Sequence, residues 1–164
     1  MSIQDEKLYS ILLNFMYEEA EFLDNRDFND WLNILDNSFT YTVSIGNNKF
    51  EEDVDGGVVL CNDNIERVTI KLKRFETEFA WSEIPPSKTV RSISNIRIAE
   101  IKSSIITVHS NEILYRNRNN TENEIIYCRR IDNIIVNENK LSLMSRKVNI
   151  ESGVMATRSL SLIL

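Results

Sequence analysis

From Thr89 onward the chain is written almost entirely in strand pattern, and that run limits the fold more than any other feature. The segments TVRSISNIRIAEI (89–101), SSIITVHSNEILYRNR (103–118), NEIIYCRRIDNIIV (123–136) and KLSLMSRKVNIE (140–151) are long and rich in β-branched residues. NRNNTEN and NENK between them are turn chemistry. Connectors this short favour hairpins, and hairpins pair strands antiparallel. In the first of these segments the alternation sets Ile93, Asn95 and Arg97 on one side and Ile96 and Ile98 on the other.

The first half reads differently. Residues 5–24 place Leu8, Ile11, Leu12, Phe15, Ala20, Phe22 and Leu23 largely at helical spacing, with Asp5 positioned to cap the start. NRDFNDWLNILD (25–36) is a second, short helix with Phe28, Trp31, Leu32 and Leu35 on its apolar face and Asn25 or Asp27 as its cap. FTYTVSI (39–45) alternates as a strand, pointing Phe39, Tyr41, Val43 and Ile45 one way. Residues 46–62 hold three glycines among polar and acidic residues, a loop with room for a short strand at 58–61. The next segment, 62–79, is a third helix with a stripe through Ile65, Val68, Leu72, Phe75 and Phe79, and Asp63 followed by Glu66 resembles a capping box. Helices first and consecutive strands afterwards give an α+β fold: N-terminal helices on a strongly curved antiparallel sheet, a cone in one domain over 1–164.

The chemistry is sparse. A single histidine, His109, and two distant cysteines, Cys61 and Cys128, cannot supply a two-histidine iron site, a Cys2His2 iron–sulfur centre or a zinc site of ordinary spacing. His109 reads as a structural or surface residue, and the cysteines read as inert thiols of a reduced, cytoplasmic setting. Gly56-Gly57 is followed by two valines, which makes it a turn and no phosphate loop. With a net charge of −6, nucleic acid and anionic membranes are poor partners. No apolar stretch approaches the roughly 18 residues needed to cross a bilayer, and the opening MSIQDEKLYS has no secretory pattern.

Two readings of the polar residues compete. In one, a cone enzyme of the dehydratase, isomerase or cyclase kind uses a pocket carboxylate, with Tyr17, Asp24, Asp36, Tyr41 and Glu83 as the candidate groups. In the other, those acids are the solvated faces and caps of helices. YCRR and LYRNR are likewise either a phosphate patch or a ladder of cross-strand salt bridges. Between helix and strands lies FAWSEIPPSKTVRSISN (79–95), which holds both prolines. Pro85-Pro86 stops the helix and stiffens the connector. Trp81, Glu83, Pro85, Pro86, Ser87, Arg91 and Asn95 therefore make a rigid, aromatic, polar-edged corner suited to a subunit contact.

The same connector carries a resemblance. Ala80, Trp81, Glu83, Pro85, Pro86, Ser87, Thr89, Ser94 and Asn95 resemble the signature of the small (β) subunit of aromatic-ring-hydroxylating, Rieske-type dioxygenases. Tyr17, Glu18, Glu19, Ala20, Leu23, Asp24, Phe28, Trp31 and Leu32 are similar to that family's N-terminal helices, and the last strands and the ending SLSLIL follow in the right order. Arg91 stands where the family usually has His, Val90 replaces a usual Arg, and Tyr41-Thr42-Val43-Ser44 replaces Tyr-Trp-x-Pro. The resemblance implies the cone shared with nuclear-transport-factor-like and cystatin-like proteins, and a non-catalytic assembly role. It further implies an α-subunit partner holding the Rieske [2Fe–2S] cluster and the Fe(II), a trimer of this chain, and no cofactor or catalytic residue here.

Overall fold

The computed structural model describes residues 3–46, 58–75, 86–118, 122–137, 140–151 and 163–164. In chain order the elements are α1 (Ile3–Asn25), α2 (Phe28–Asn33), β1 (Leu35–Ile45), β2 (Val58–Asn64), α3 (Ile65–Phe75), β3 (Lys88–Lys102), β4 (Ile105–Arg118), β5 (Glu122–Asn137) and β6 (Lys140–Ile150). The strands form one six-stranded sheet in the order β2-β1-β6-β5-β4-β3. Every neighbouring pair is antiparallel except β1 and β6, which run parallel and join the two ends of the chain's strand set. That pairing has no hairpin behind it, so local turn chemistry carries no trace of it.

The helices cover the inner face. α1 packs along β3, and α3 lies against β1. The stripe expected on α3 is present in Val68 and Leu72, both buried; Phe79 lies outside the described residues. The cap is one residue later than the sequence suggests: Asn64 Oδ1 accepts the Arg67 amide at 3.0 Å, while Asp63 turns away to Lys71 and Cys61. Similarly α1 begins at Ile3, which leaves Asp5 inside the helix, and α2 ends early because Leu35 already belongs to β1. β2 runs on to Asn64, beyond the short strand expected, because it pairs with β1 from Ile45 back to Thr40.

Two departures from regular geometry place the interior. At the end of α1 the amides of Arg26 and Asp27 return to the carbonyls of Leu23 and Phe22, at 3.3 and 2.8 Å, as in a Schellman stop. Arg26 holds the left-handed position, φ 64°, where glycine is usual. Its guanidinium lies 5.2 Å over the Phe28 ring and donates to the Phe75 carbonyl at 3.1 Å, which offsets the backbone cost. The turn swings α2 under the sheet, so that Trp31 is buried edge-on to Phe39 at 5.9 Å.

The second departure is a bulge in β3. Pairing with β4 is continuous from Lys88 to Ser94 and resumes at Arg97, with Asn95 at φ 52°. One extra residue reverses the alternation. Thr89, Arg91 and Ile93 share the inner face with Ile96 and Ile98, and Arg97 goes outward beside His109. The expectation that Ile93 and Arg97 share a face fails for this reason.

The β3–β4 link is Ser103-Ser104, with Ser103 at φ 53°. A Cβ at this backbone angle is costly, and no side chain is needed there. Ser103→Gly is expected to raise stability by about 0.5–1 kcal/mol in urea unfolding at unchanged m-value; a loss of stability would contradict this account of the turn.

Candidate functional site in the cone interior

The interior of the cone is filled with charge. Arg130 on β5 and Arg146 on β6 are fully buried, as are Glu19 on α1, Glu112 on β4 and Asp132 on β5. Arg130 donates to Glu112 Oε2 and Asp132 Oδ2, both at 2.6 Å, and to Glu19 Oε2 at 3.3 Å. Arg146 donates to Asp132 Oδ1 and Glu19 Oε1, both at 2.8 Å. Trp31 Nε1 adds a third donor to Glu19 at 2.7 Å. On the β3 side Arg91, whose side chain is only 2% exposed, pairs with Asp24 of α1 and faces Glu112 at 3.4 Å. Four carboxylates and three guanidiniums thus run unbroken from α1 across β3 to β6.

Residues 163–164 close the interior. Leu164 and Ile163 are buried. The Leu164 amide donates to the Tyr41 hydroxyl at 2.9 Å, and Arg146 reaches the Leu164 carbonyl oxygen at 3.3 Å. Arg91 donates to the Ile163 carbonyl. A cavity of about 20 Å3 remains between Leu23, Phe28, Phe75, Ser87, Thr89, Arg91 and Ile163, room for a water and little else.

The electrostatics fix protonation states. Burial alone would raise the Glu19 carboxyl; Arg146 and Arg130 overcome it and hold the group at about 2. Burial works against the charge on Arg130, and Asp132, Glu19 and Glu112 outweigh it, so its pKa stands well above the usual. Burial pushes the Tyr41 phenol upward, so it stays protonated. Glu19 is thus held as its anion, Arg130 and Arg146 as cations and Tyr41 as the neutral phenol, so none of these four is poised to exchange a proton near pH 7. Elsewhere burial and a hydrogen bond to Asp63 push the Cys61 thiol up to about 11, and burial raises Cys128 further.

The donors do not fit an iron–sulfur centre or a mononuclear iron. His109 lies in β4 with Nδ1 3.1 Å from Arg97, Cys61 sits on β2, and Cys128 on β5. β1 and β6 separate those two cysteine strands. Among the described residues no three His, Cys, Asp or Glu side chains are grouped as metal ligands.

Comparison with known proteins agrees with this architecture. The profile of the ring hydroxylating beta subunit matches residues 18–157. The chain belongs to the ring-hydroxylating β-subunit family. Its fold is that of a chain of naphthalene 1,2-dioxygenase, with TM-score 0.80 at 19% identity over 100% of both chains. The β subunit of benzoate 1,2-dioxygenase from Burkholderia mallei superposes with TM-score 0.74 at 16% identity, over 93% of this chain and 95% of that one. A protein described as a scytalone dehydratase, from Novosphingobium aromaticivorans, shares the cone with TM-score 0.68 at 12% identity, over 93% and 89% of the two chains. These likenesses establish the α+β cone.

For a ring-hydroxylating β subunit the placement of the sequence candidates is informative. Asp24 and Tyr41 do reach the interior, but as fixed partners of Arg91 and Leu164. Tyr17 is exposed on α1, and Asp36 bonds locally to Ser38 at the start of β1. In the connector, Trp81, Glu83 and Pro85 lie outside the described residues. Pro86 and Asn95 are exposed, and Ser87 is buried with its hydroxyl accepting from Arg116 Nε at 2.8 Å. The guanidinium of Arg91, a candidate for the contact corner, pairs with Asp24 and donates to the Ile163 carbonyl within the chain. Neither YCRR nor LYRNR is a phosphate patch. Arg130 is interior, Arg116 faces Glu124 across the strands at 3.7 Å, and Arg129 pairs with Glu151 at 3.2 Å. Glu112, Asp132, Arg130 and Arg146 escaped notice as a site. Their signal is parity: Glu112 falls in step with Ile106, Val108 and Leu114 on one face, and Arg130 and Asp132 with Ile126 and Ile134.

Glu19 makes the interior sensitive to acid. Its folded pKa of about 2 lies below its ordinary value of 4.5, so its stabilisation is complete above pH 4.5 and is lost as pH falls from there toward 2. The contribution is on the order of 3 kcal/mol. Glu19→Gln is expected to be less stable by about 3–5 kcal/mol at pH 7 and to lose less than the parent chain between pH 4.5 and 2. Urea unfolding at a series of pH values measures both, and parallel pH profiles would contradict the assignment.

Proposed function

We propose that this chain is the non-catalytic assembly subunit of a multicomponent aromatic-ring-hydroxylating dioxygenase that takes part in aromatic compound catabolism. The observation that carries the reading is the interior itself. Where a cone enzyme needs a poised acid or base, the described interior of this chain has paired charges and its own residues 163–164. The α subunit is then the partner that holds the Rieske cluster and the mononuclear iron, and the complex works in the cytoplasm, without nucleic acid or membrane. The described residues contain no helix long and apolar enough to cross a membrane. The alternative, a stand-alone dehydratase, isomerase or cyclase, would need Glu19 or Asp24 to be free for proton transfer, and both are bound to guanidiniums.

The chain also assembles with itself, as a trimer in this proposal. Beside the connector corner, Val90 of β3, Ile113 and Tyr115 of β4, and Ile125 and Tyr127 of β5 stand together on the outer face of the sheet. Each is between 39% and 63% exposed. Scaled by ordinary side-chain areas, these exposures sum to roughly 400–500 Å2, the size of the largest patch on an ordinary monomer, which is often functional, and about half of one partner's share of a standard interface. Farther along the same face the strands carry polar ladders instead, such as Thr107–Asn133–Ser145 with contacts of 2.8 and 2.9 Å. Copies of this chain are therefore the occupants assigned to the patch, with the exposed part of the 81–95 corner at its margin.

Two measurements test the proposal. Co-expression with a Rieske-bearing large subunit is expected to give a complex with equal numbers of the two chains in native mass spectrometry, and failure to associate would sink the subunit reading. Ile125→Glu with Tyr127→Glu is expected to turn a light-scattering trimer into monomers while shifting the melting temperature little, since both residues are outward-facing. An unchanged oligomer would remove the patch from the interface.

A further inference from the structure

We infer that the cone interior is a binding site for a short apolar peptide read through its main chain, and that residues 163–164 occupy it in cis. The contacts have the character of ligand recognition. One amide and two carbonyls of the segment are held, by Tyr41, Arg146 and Arg91. Both side chains of the segment are buried in the apolar core, Ile163 against the cavity that Leu23 and Phe28 line.

The receptor side is built independently of the segment. Arg146 is fixed by Glu19 and Asp132, and Arg91 by Asp24 and Glu112. The Tyr41 ring stacks on Phe39 at a centroid distance of 6.5 Å, within the sheet. Three polar groups aimed at one path, each oriented by a second partner, form a preorganised site that loses little freedom on binding. Vacating it would leave a space of roughly 300 Å3, the lower end of the range for small-molecule pockets. Main-chain recognition makes the site indifferent to how the peptide is connected, so a separate molecule of the same chemistry fits. The inference concerns this chain alone and does not depend on any catalytic partner.

The test uses the full-length chain with Ile163→Ser and Leu164→Ser, which removes the apolar side chains that hold the segment in place. The probe is N-acetyl-Ile-Leu-amide, with N-acetyl-Ser-Ser-amide as control. The apolar peptide is expected to raise the melting temperature of the double variant saturably, by about 3 °C or more at millimolar concentration, while leaving the parent chain unmoved because its site is filled. Adding Tyr41→Phe is expected to weaken the apparent affinity about fivefold through loss of the hydroxyl acceptor. If the double variant does not fold, refolding in the peptide must recover its near-ultraviolet circular dichroism. No shift in a folded variant, an equal shift with the serine peptide, or no recovery of an unfolded one would overturn the inference.

Discussion

Glu19 is the point on which the interior turns. A carboxylate with no solvent exposure is expensive unless both oxygens are engaged, and here two guanidiniums and the Trp31 indole engage them. Meeting that demand dictates the positions of other elements. α2 must swing under the sheet to bring Trp31 within reach, which explains a left-handed Arg26 at the end of α1. β5 and β6 must present Arg130 and Arg146 side by side, which their antiparallel register does through Arg130↔Val148 and Asp132↔Arg146. Asp132 then bridges both arginines, and Glu112 binds Arg130 from the next strand.

The cone is a fold that can hold a cavity, and what fills the cavity decides what the protein can do. A cluster of this kind gives little net stability over a well-packed apolar core. Its effect is specificity of arrangement: a slip of one residue in β4, β5 or β6 would turn Glu112, Arg130 or Arg146 to the wrong face of the sheet and leave the others unpaired. A subunit that serves as a scaffold benefits from a single, rigid interior, and it has no need for the movable proton that an enzyme of the same shape requires. In the proposed assembly the outer face of the sheet, with its apolar patch, is left for contacts between subunits.

Much of this was legible in the sequence, for physical reasons that can be named. The strand run after Thr89 and the stripe through Val68 and Leu72 are local periodicities, and both are found where the spacing put them. The parallel pairing of β1 with β6 joins residues about a hundred apart, as Tyr41↔Arg146, and no local pattern encodes it. Asn95 hid the bulge because a single residue in left-handed conformation leaves the composition of a strand unchanged. The ionic interior was missed because charged side chains are ordinarily solvated. Only their parity with Val108, Ile126 and Ile134 marks Glu112, Arg130 and Asp132 as interior. Arg91 shows the same effect: a cation in a connector reads as surface until Asp24 and the Ile163 carbonyl are seen around it.

The central claim is that the buried charges hold the subunit together and take no part in chemistry. The most direct test is turnover per assembled complex for Asp132→Asn, which weakens both arginine contacts while keeping the side chain's size. The account predicts a lower melting temperature for the subunit and less complex recovered, with oxidation of an aromatic substrate per iron unchanged in what does assemble. Normal assembly with turnover reduced by about tenfold or more, roughly 1.4 kcal/mol in the barrier, would contradict it and place the interior of this cone in the reaction.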